Sequence, residues 1–195
     1  MTGGAGFIGS HVADAFVERG DEVLVVDDFS SGSRDHVPDR ANLAELDIAD
    51  SDRVREAFAG FEPEYICHLA AQASVTVSVK EPKRDFDSNV LGTFNILNSA
   101  TEHRARTVFA STGGALYGEG APIPTDESYV AQPLSPYGAS KQAAEAFVGA
   151  LARFHGIDHA VLRLGNVYGP RQSPHGEAGV VAIFSERLLL GQPVV

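Results

Sequence analysis

The sequence has a single cysteine, no apolar run long enough to cross a membrane and too few cations to balance its acids. Each shortage excludes a class of protein. Cys67 has no second cysteine to pair with, so no disulfide can form within the chain, which suits a reducing cytosol. Its setting in "YICHLAA" marks a buried small hydrophobe rather than a reactive thiol. The longest uncharged stretch, Tyr65 to Val79, is broken by His, Gln, Ser and Thr and does not read as a membrane span. No basic segment followed by an apolar one opens the chain, so no signal peptide is visible and a cytoplasmic protein is expected. Lys and Arg number 15 against 26 Asp and Glu, a net charge of -11, which argues against nucleic acid or an anionic membrane as partner. The acids are dispersed and read as a solvated surface. The seven histidines show no ligand clustering. His155 and His159 are four apart, but Gly156 is expected to end a helix between them, so no metal is expected.

What is present is a regular alternation. A length of 195 residues suits one large domain, or one plus a fragment, and 44% hydrophobic with 21% charged residues is ordinary for a globular chain. Strand-length apolar runs lie at 22–26, 65–69, 107–110 and 160–164, with a weaker one at 43–48. Between them, Gly9 to Arg19 places Val12, Ala13, Phe16 and Val17 on one helical face and stops at Gly20, an expected C-cap. Asp50 or Ser51 can cap a helix bearing Val54, Ala57 and Phe58. Val90, Phe94 and Leu97 make a further stripe, and Ala143, Phe147, Ala150, Leu151 and Phe154 another. Strand and helix in alternation specify an α/β fold, a doubly wound parallel sheet of Rossmann type with helices on both faces.

The opening "MTGGAGFIGS" spaces glycines at 3, 6 and 9 ahead of a helix, and the next strand ends in Asp27, 18 residues beyond Gly9. In a dinucleotide-binding turn, Gly3 permits the tight bend, Gly6 lets the backbone approach a pyrophosphate and Gly9 lets the helix pack on the sheet. Asp27 can accept from both hydroxyls of an adenosine ribose and would repel a 2'-phosphate, which favours NAD over NADP. In "SPYGASKQAAEAF", Tyr137 and Lys141 are four apart and project from one helical face. A nearby ammonium favours phenolate, so the pair is expected to bring the tyrosine from about 10 towards the range of a general base.

These motifs, with "HLAA" at 68–71, Asn89, "STGGALYG" at 111–118 and "RLGNVYGPRQ" at 163–172, run in an order that resembles the extended short-chain dehydrogenase/reductases. Within that family the chain is most similar to the bacterial UDP-glucose (UDP-galactose) 4-epimerases. The resemblance implies that Gly3, Gly6, Phe7, Ile8 and Gly9 hold the NAD pyrophosphate. Asp27 would hold the adenosine ribose, with Asp28 and Ser31 close by, and Asp47 and Ile48 would flank the adenine. Leu69, Ala70 and Ala71 would line the route to the nicotinamide, and Asn89 would lie near the same ribose. Tyr137 would take the proton of the sugar's 4-hydroxyl while C4 is oxidised, and Lys141 would bind the nicotinamide ribose. Asn166 matches a position that contacts the UDP phosphates. The implied substrate is a nucleotide sugar, the implied reaction is epimerisation at C4 through a 4-keto intermediate, and the implied assembly is a homodimer built on helices over 89–100 and 143–154.

The chain departs from that pattern in two places. A Ser or Thr usual four residues before the tyrosine of the "YG" pair is here Gly113, four before Tyr117, so Thr112 or Ser111 would supply the hydroxyl to the sugar. Gly114 and Ala115 follow where a 4,6-dehydratase carries Asp-Glu, which disfavours that chemistry. Ala115 also counts against a decarboxylase, although another nucleotide-sugar enzyme on this scaffold or an inactive nucleotide-binding module stays open. The second departure is at the ends. A central first strand is expected before Thr2, and most of the sugar-binding region beyond Val195. Residues 1–164 are therefore expected to form the dinucleotide-binding domain and 165–195 the start of the sugar-binding region of a chain clipped at both ends, with little turnover of its own.

Overall fold

The computed structural model describes residues 1–175 and 179–194. The glycine-rich turn leads into α1 (Phe7–Arg19) and then β1 (Leu24–Asp27). After a short 3-10 turn come β2 (Asn42–Glu45), α2 (Ser51–Phe61) and β3 (Tyr65–His68). Two short helices, α3 (Val75–Lys80) and α4 (Pro82–Phe86), run through a widened π-type turn over Asp87–Gly92 into α5 (Thr93–Glu102). The chain continues through β4 (Arg106–Thr112), α6 (Pro136–His155), β5 (Ala160–Leu164) and α7 (Val180–Leu189).

Local chemistry fixes the helix boundaries. Gly20 ends α1 in the left-handed region, at φ 96°, as its position in the sequence indicates. Asp50 caps α2 by accepting from the N–H groups of Asp52 and Arg53. Ser135 caps α6 by accepting from Gly138 N, and Pro136 fills the first helical position, where no donor is needed.

Every strand pair is parallel: β1 with β2, β3 with β4, and β4 with β5. The expected strand runs are seen, with the run at 22–26 shifted to Leu24–Asp27 and that at 43–48 to Asn42–Glu45. The gap between β1 and β3, where a central first strand is expected, is spanned by Met1–Gly3. Thr2 N donates to Cys67 O at 3.0 Å and Leu69 N to Thr2 O at 3.1 Å on one side. On the other, Val26 N donates to Met1 O and Gly3 N to Val26 O, both at 2.8 Å. Thr2 therefore bridges Val26 and His68, giving the order β2-β1-Thr2-β3-β4-β5.

One core cluster (Val26, Leu46, Ile48, Val54, Phe58, Ile66, Ile96 and Ala100) fills the side covered by α2 and α5. Leu97, Phe109, Ala144 and Val148 pack α5 and α6 against β4. The sequence stripe assigned to the last long helix needs correction. The residues of α6 that are buried are Gly138, Ser140, Lys141, Ala144 and Val148, whereas Phe147 and Phe154 are exposed. Each residue turns a helix by about 100°, so Phe147, next to buried Val148, points outward. Phe94 likewise faces out and meets Phe147 edge-on, with ring centroids 5.6 Å apart.

Candidate active site

A cleft of about 680 Å³ opens at the C-terminal ends of the strands, where Thr2 separates β1 from β3. Crossovers diverge to opposite faces at this point of a doubly wound sheet, which leaves a crevice for a ligand. The turn after Thr2 forms its floor. Gly3 has φ 69°, and a Cβ there would lie 2.6 Å from Ala70 N. A Cβ on Gly9 would lie 2.0 Å from Gly3 O, so α1 can start against the turn only with glycine at that position. Gly6 is different. Its added Cβ would meet only Gly3 O, at 3.3 Å, and it lines the cleft. As N-cap of α1 it brings no side chain to the first-turn N–H groups, which leaves them and the positive end of the helix dipole to an anion.

Asp27 sits at the end of β1, buried and lining the cleft. One carboxylate oxygen accepts from Ala5 N at 3.0 Å and the other from Phe29 N at 2.9 Å, so both oxygens are held in place with lone pairs to spare. Asp28 and Ser31 line the same cleft, as do Asp47 and Ile48 after β2 and Leu69, Ala70 and Ala71 after β3. An uncapped helix start, a glycine cradle and a fixed carboxylate fit a dinucleotide: a diphosphate at the helix, ribose hydroxyls at Asp27.

At the other end of the cleft stand Thr112, Tyr137 and Lys141. Thr112, at the end of β4, stands near enough to the Tyr137 phenol to act on its titration, and its oxygen accepts from Ala115 N at 3.2 Å. The adjacent Ser111 instead donates to Glu145 at 2.5 Å, because neighbours on a strand face opposite ways. A Cβ on Gly113 would lie 3.2 Å from Leu164 O.

The expected effect of Lys141 on Tyr137 is not seen, and this is a correction. Burial pushes the Tyr137 phenol up from its ordinary value; the Thr112 hydroxyl pulls it back and the Asp85 carboxylate adds to the rise. The Lys141 ammonium donates to Ala110 O at 2.9 Å and lies 4.8 Å from the centre of the Phe109 ring. Burial lowers Lys141 itself to about 8, against the opposing pull of Asp85 and Glu145. Its ammonium is thus held against β4.

Asn89 does not line the cleft. Its amide is buried, donating to Gln72 O, Asp85 and Ser140 and accepting from Gln72 N, so it clamps the widened turn to the loop after β3. Gly113 and Asn166 line a neighbouring hollow of about 970 Å³ together with Tyr117 and Arg163. Sequence reasoning missed Gln72, Lys83, Arg84, Asp87 and Ser88, which also line the cleft. Lys83, Arg84 and Asp87 belong to the charged run "KEPKRD" and its neighbourhood, whose polarity reads as solvated surface. His68 ends β3. It lies fully buried beneath the turn, between the hydroxyls of Thr2 at 2.6 Å and Thr93 at 2.9 Å. Among the described residues no three His, Cys, Asp or Glu side chains gather as a metal site, and no helix is long and apolar enough to cross a membrane.

Known proteins share this arrangement. A putative UDP-glucose 4-epimerase of Methanocaldococcus jannaschii is 43% identical over 197 residues, covering 100% of this chain and 64% of its own length. The crystal structure of a UDP-glucose 4-epimerase from Thermotoga maritima with UDP-glucose is 48% identical, with a TM-score of 0.96 over 99% of this chain and 63% of that one. The Thermus thermophilus UDP-glucose 4-epimerase in complex with NAD is also 48% identical, with a TM-score of 0.92 over 99% and 63%. The chain thus spans just under two thirds of the length of these relatives. A family profile matches residues 1–195, and with relatives this similar the chain belongs to the NAD dependent epimerase/dehydratase family.

Proposed function

We propose that the cleft binds NAD and that the residues at its far end exchange a proton with the 4-hydroxyl of a nucleotide sugar, interconverting UDP-glucose and UDP-galactose through a 4-keto sugar. The observation that carries this reading is that Tyr137 and Thr112 line the same cleft as the glycine turn and Asp27. Similarity to enzymes named UDP-glucose 4-epimerase supports the choice of sugar.

When bound, NAD supplies a hydride acceptor, later a donor, and a positive ring. The chain's residues do the rest. Gly6, Phe7, Ile8 and Gly9 present N–H groups to the diphosphate, Asp27 accepts from the adenosine ribose, and Lys141 binds the ribose on the nicotinamide side. Tyr137 takes the 4-hydroxyl proton and returns it when C4 is reduced on its other face, with Thr112 donating to the same oxygens in turn. A positive charge brought over the cleft opposes the burial that raises the phenol. Residues 1–164 carry this machinery, and Asn166 begins the contacts to the UDP phosphates.

Two experiments test the reading. Calorimetry with NAD is expected to show binding that Asp27→Ala weakens. Chromatography of the nucleotide sugars after UDP-galactose is added, with no external NAD, to a form extended to the length of its relatives is expected to show UDP-glucose, and none with Tyr137→Phe. Absence of NAD binding removes the whole reading, while binding without any sugar conversion leaves a nucleotide-holding module. The same reading includes pairing of two copies through α5 and α6, supported by the exposure of Leu91, Phe94, Phe147 and Phe154. Sedimentation as a monomer would remove that part alone.

A further inference from the structure

The motif that carries Tyr137 and Lys141 extends one step further. Glu145 follows Lys141 by four residues as Lys141 follows Tyr137, so the three repeat along α6 and project towards β4 and β5. Ser111 and Arg163 are register partners on those two strands. Both reach Glu145: Ser111 Oγ donates to one carboxylate oxygen at 2.5 Å, and Arg163 donates from Nε at 3.1 Å and from Nη2 at 2.8 Å. The Arg163–Glu145 pair is largely shielded, with side chains 21% and 13% exposed. Such a fork holds direction as well as distance. Arg163 also donates from Nη1 to Tyr117 Oη at 2.9 Å and to Glu127 O at 3.2 Å, so it grips the long connection between β4 and α6.

We propose that Glu145 and Arg163 are positioning residues, which lock α6, β4 and the connection after β4 in one register so that the Thr112 hydroxyl meets the Tyr137 phenol. The inference rests on the reading of Tyr137 and Thr112 given above. Thr112 is the residue after Ser111, its Cα about 3.8 Å along the strand, so fixing Ser111 to Glu145 fixes where Thr112 stands. Tyr137 lies eight residues up the same helix, about 12 Å from Glu145, on a rod that transmits any slip directly. Gly113 N, donating to Leu164 O at 2.7 Å, continues the same junction past the strand end. Polar groups that could have been replaced by an apolar contact instead join three elements at one carboxylate, beside the pair on which the chemistry depends.

The test reads the phenol rather than turnover. Protein labelled with 13Cζ-tyrosine is compared by NMR at neutral pH without cofactor, with the Tyr137 resonance assigned through Tyr137→Phe. Thr112→Val is expected to move that resonance by removing the hydroxyl that acts on the phenol. Glu145→Gln and Ser111→Ala, which weaken the junction and leave both Thr112 and Tyr137 unchanged, are expected to move it in the same direction. Phe58→Leu, a core change in α2, is expected to leave it in place. If Thr112→Val moves the resonance and neither Glu145→Gln nor Ser111→Ala does, the positioning role is wrong and the reading of the site stands. If Thr112→Val also leaves it unmoved, the contact between Thr112 and Tyr137 fails and both ideas go. Ser111→Ala removes a single hydroxyl, so it decides the matter should Glu145→Gln not fold.

Discussion

The ammonium of Lys141 donates to the carbonyl oxygen of Ala110 at 2.9 Å, from a fully enclosed position on α6. Burial holds its pKa near 8 in the fold, below the usual 10.5. Between those values the unfolded chain holds more protons than the native one, so the contribution of Lys141 to stability rises with pH across that window and is constant below it. Lys141→Met removes the group. Urea midpoints at pH 7.5 and 10 are expected to show wild type gaining relative to the variant, by at most about 3 kcal/mol. Equal pH dependence in the two proteins would show that the side chain is not buried as described.

His68 acts with the same sign at lower pH. Enclosed between Thr2 and Thr93, with the Lys141 charge nearby, it is lowered to about 3 by burial first and by that charge second. As pH falls below 6.5 the unfolded state takes up a proton that the native state refuses, and stability is lost down to about pH 3. At pH 5 this amounts to about 2 kcal/mol. His68→Gln is expected to be less stable than wild type at pH 7 and to lose less on going to pH 5. Chemical denaturation at the two pH values measures both.

Much of this was legible in the sequence, for reasons that show in particular residues. Gly20, Asp50 and the alternation of apolar runs act locally, and the caps and strands stand where local chemistry put them. Cleft residues on short loops directly after strands, such as Asp27 and Ala70, could be placed because strand ends fix the crevice. The failures are tertiary. Phe147 and Val148 are adjacent and equally apolar, and only the neighbours of α6 decide which is buried. Lys141 was assigned to Tyr137 by helical spacing, but spacing says nothing of Ala110, which approaches from another strand. Asn89 has a helix-surface pattern and is clamped by Gln72 and Asp85, neither predictable from period.

Asp27 makes cofactor choice testable. Its oxygens already accept from Ala5 N and Phe29 N, so Asp27→Asn is expected to disturb the turn as well as the ribose site. Hydrogen bonds to a charged group contribute about 1.5–3 kcal/mol, and NAD affinity should fall by roughly 10- to 150-fold. NADP affinity should fall less, or rise, because a carboxylate beside a 2'-phosphate is repulsive and an amide is not. Fluorescence titration with NADH and NADPH gives both numbers. A variant that keeps the wild-type ratio of affinities would show that Asp27 does not face the ribose.

The glycines of the turn separate folding from binding. At Gly9 a methyl group would meet Gly3 O at 2.0 Å, backbone against backbone, and neither can yield without unseating α1 from the turn. Gly9→Ala is therefore expected to be severely destabilised, through overpacking at a fixed site. At Gly6 the same methyl finds its nearest neighbour at 3.3 Å and otherwise stands in the cleft, over the uncapped start of α1. Gly6→Ala should stay folded, with a thermal midpoint close to wild type. It should nonetheless bind NAD weakly, because the added carbon occupies the approach that a diphosphate needs to reach the first-turn N–H groups. Thermal melts with calorimetry on the two variants give a paired result. Should Gly6→Ala fold and bind NAD as tightly as wild type, the diphosphate does not lie over this turn, and the fit between an open helix start and a dinucleotide is the wrong explanation for the spacing.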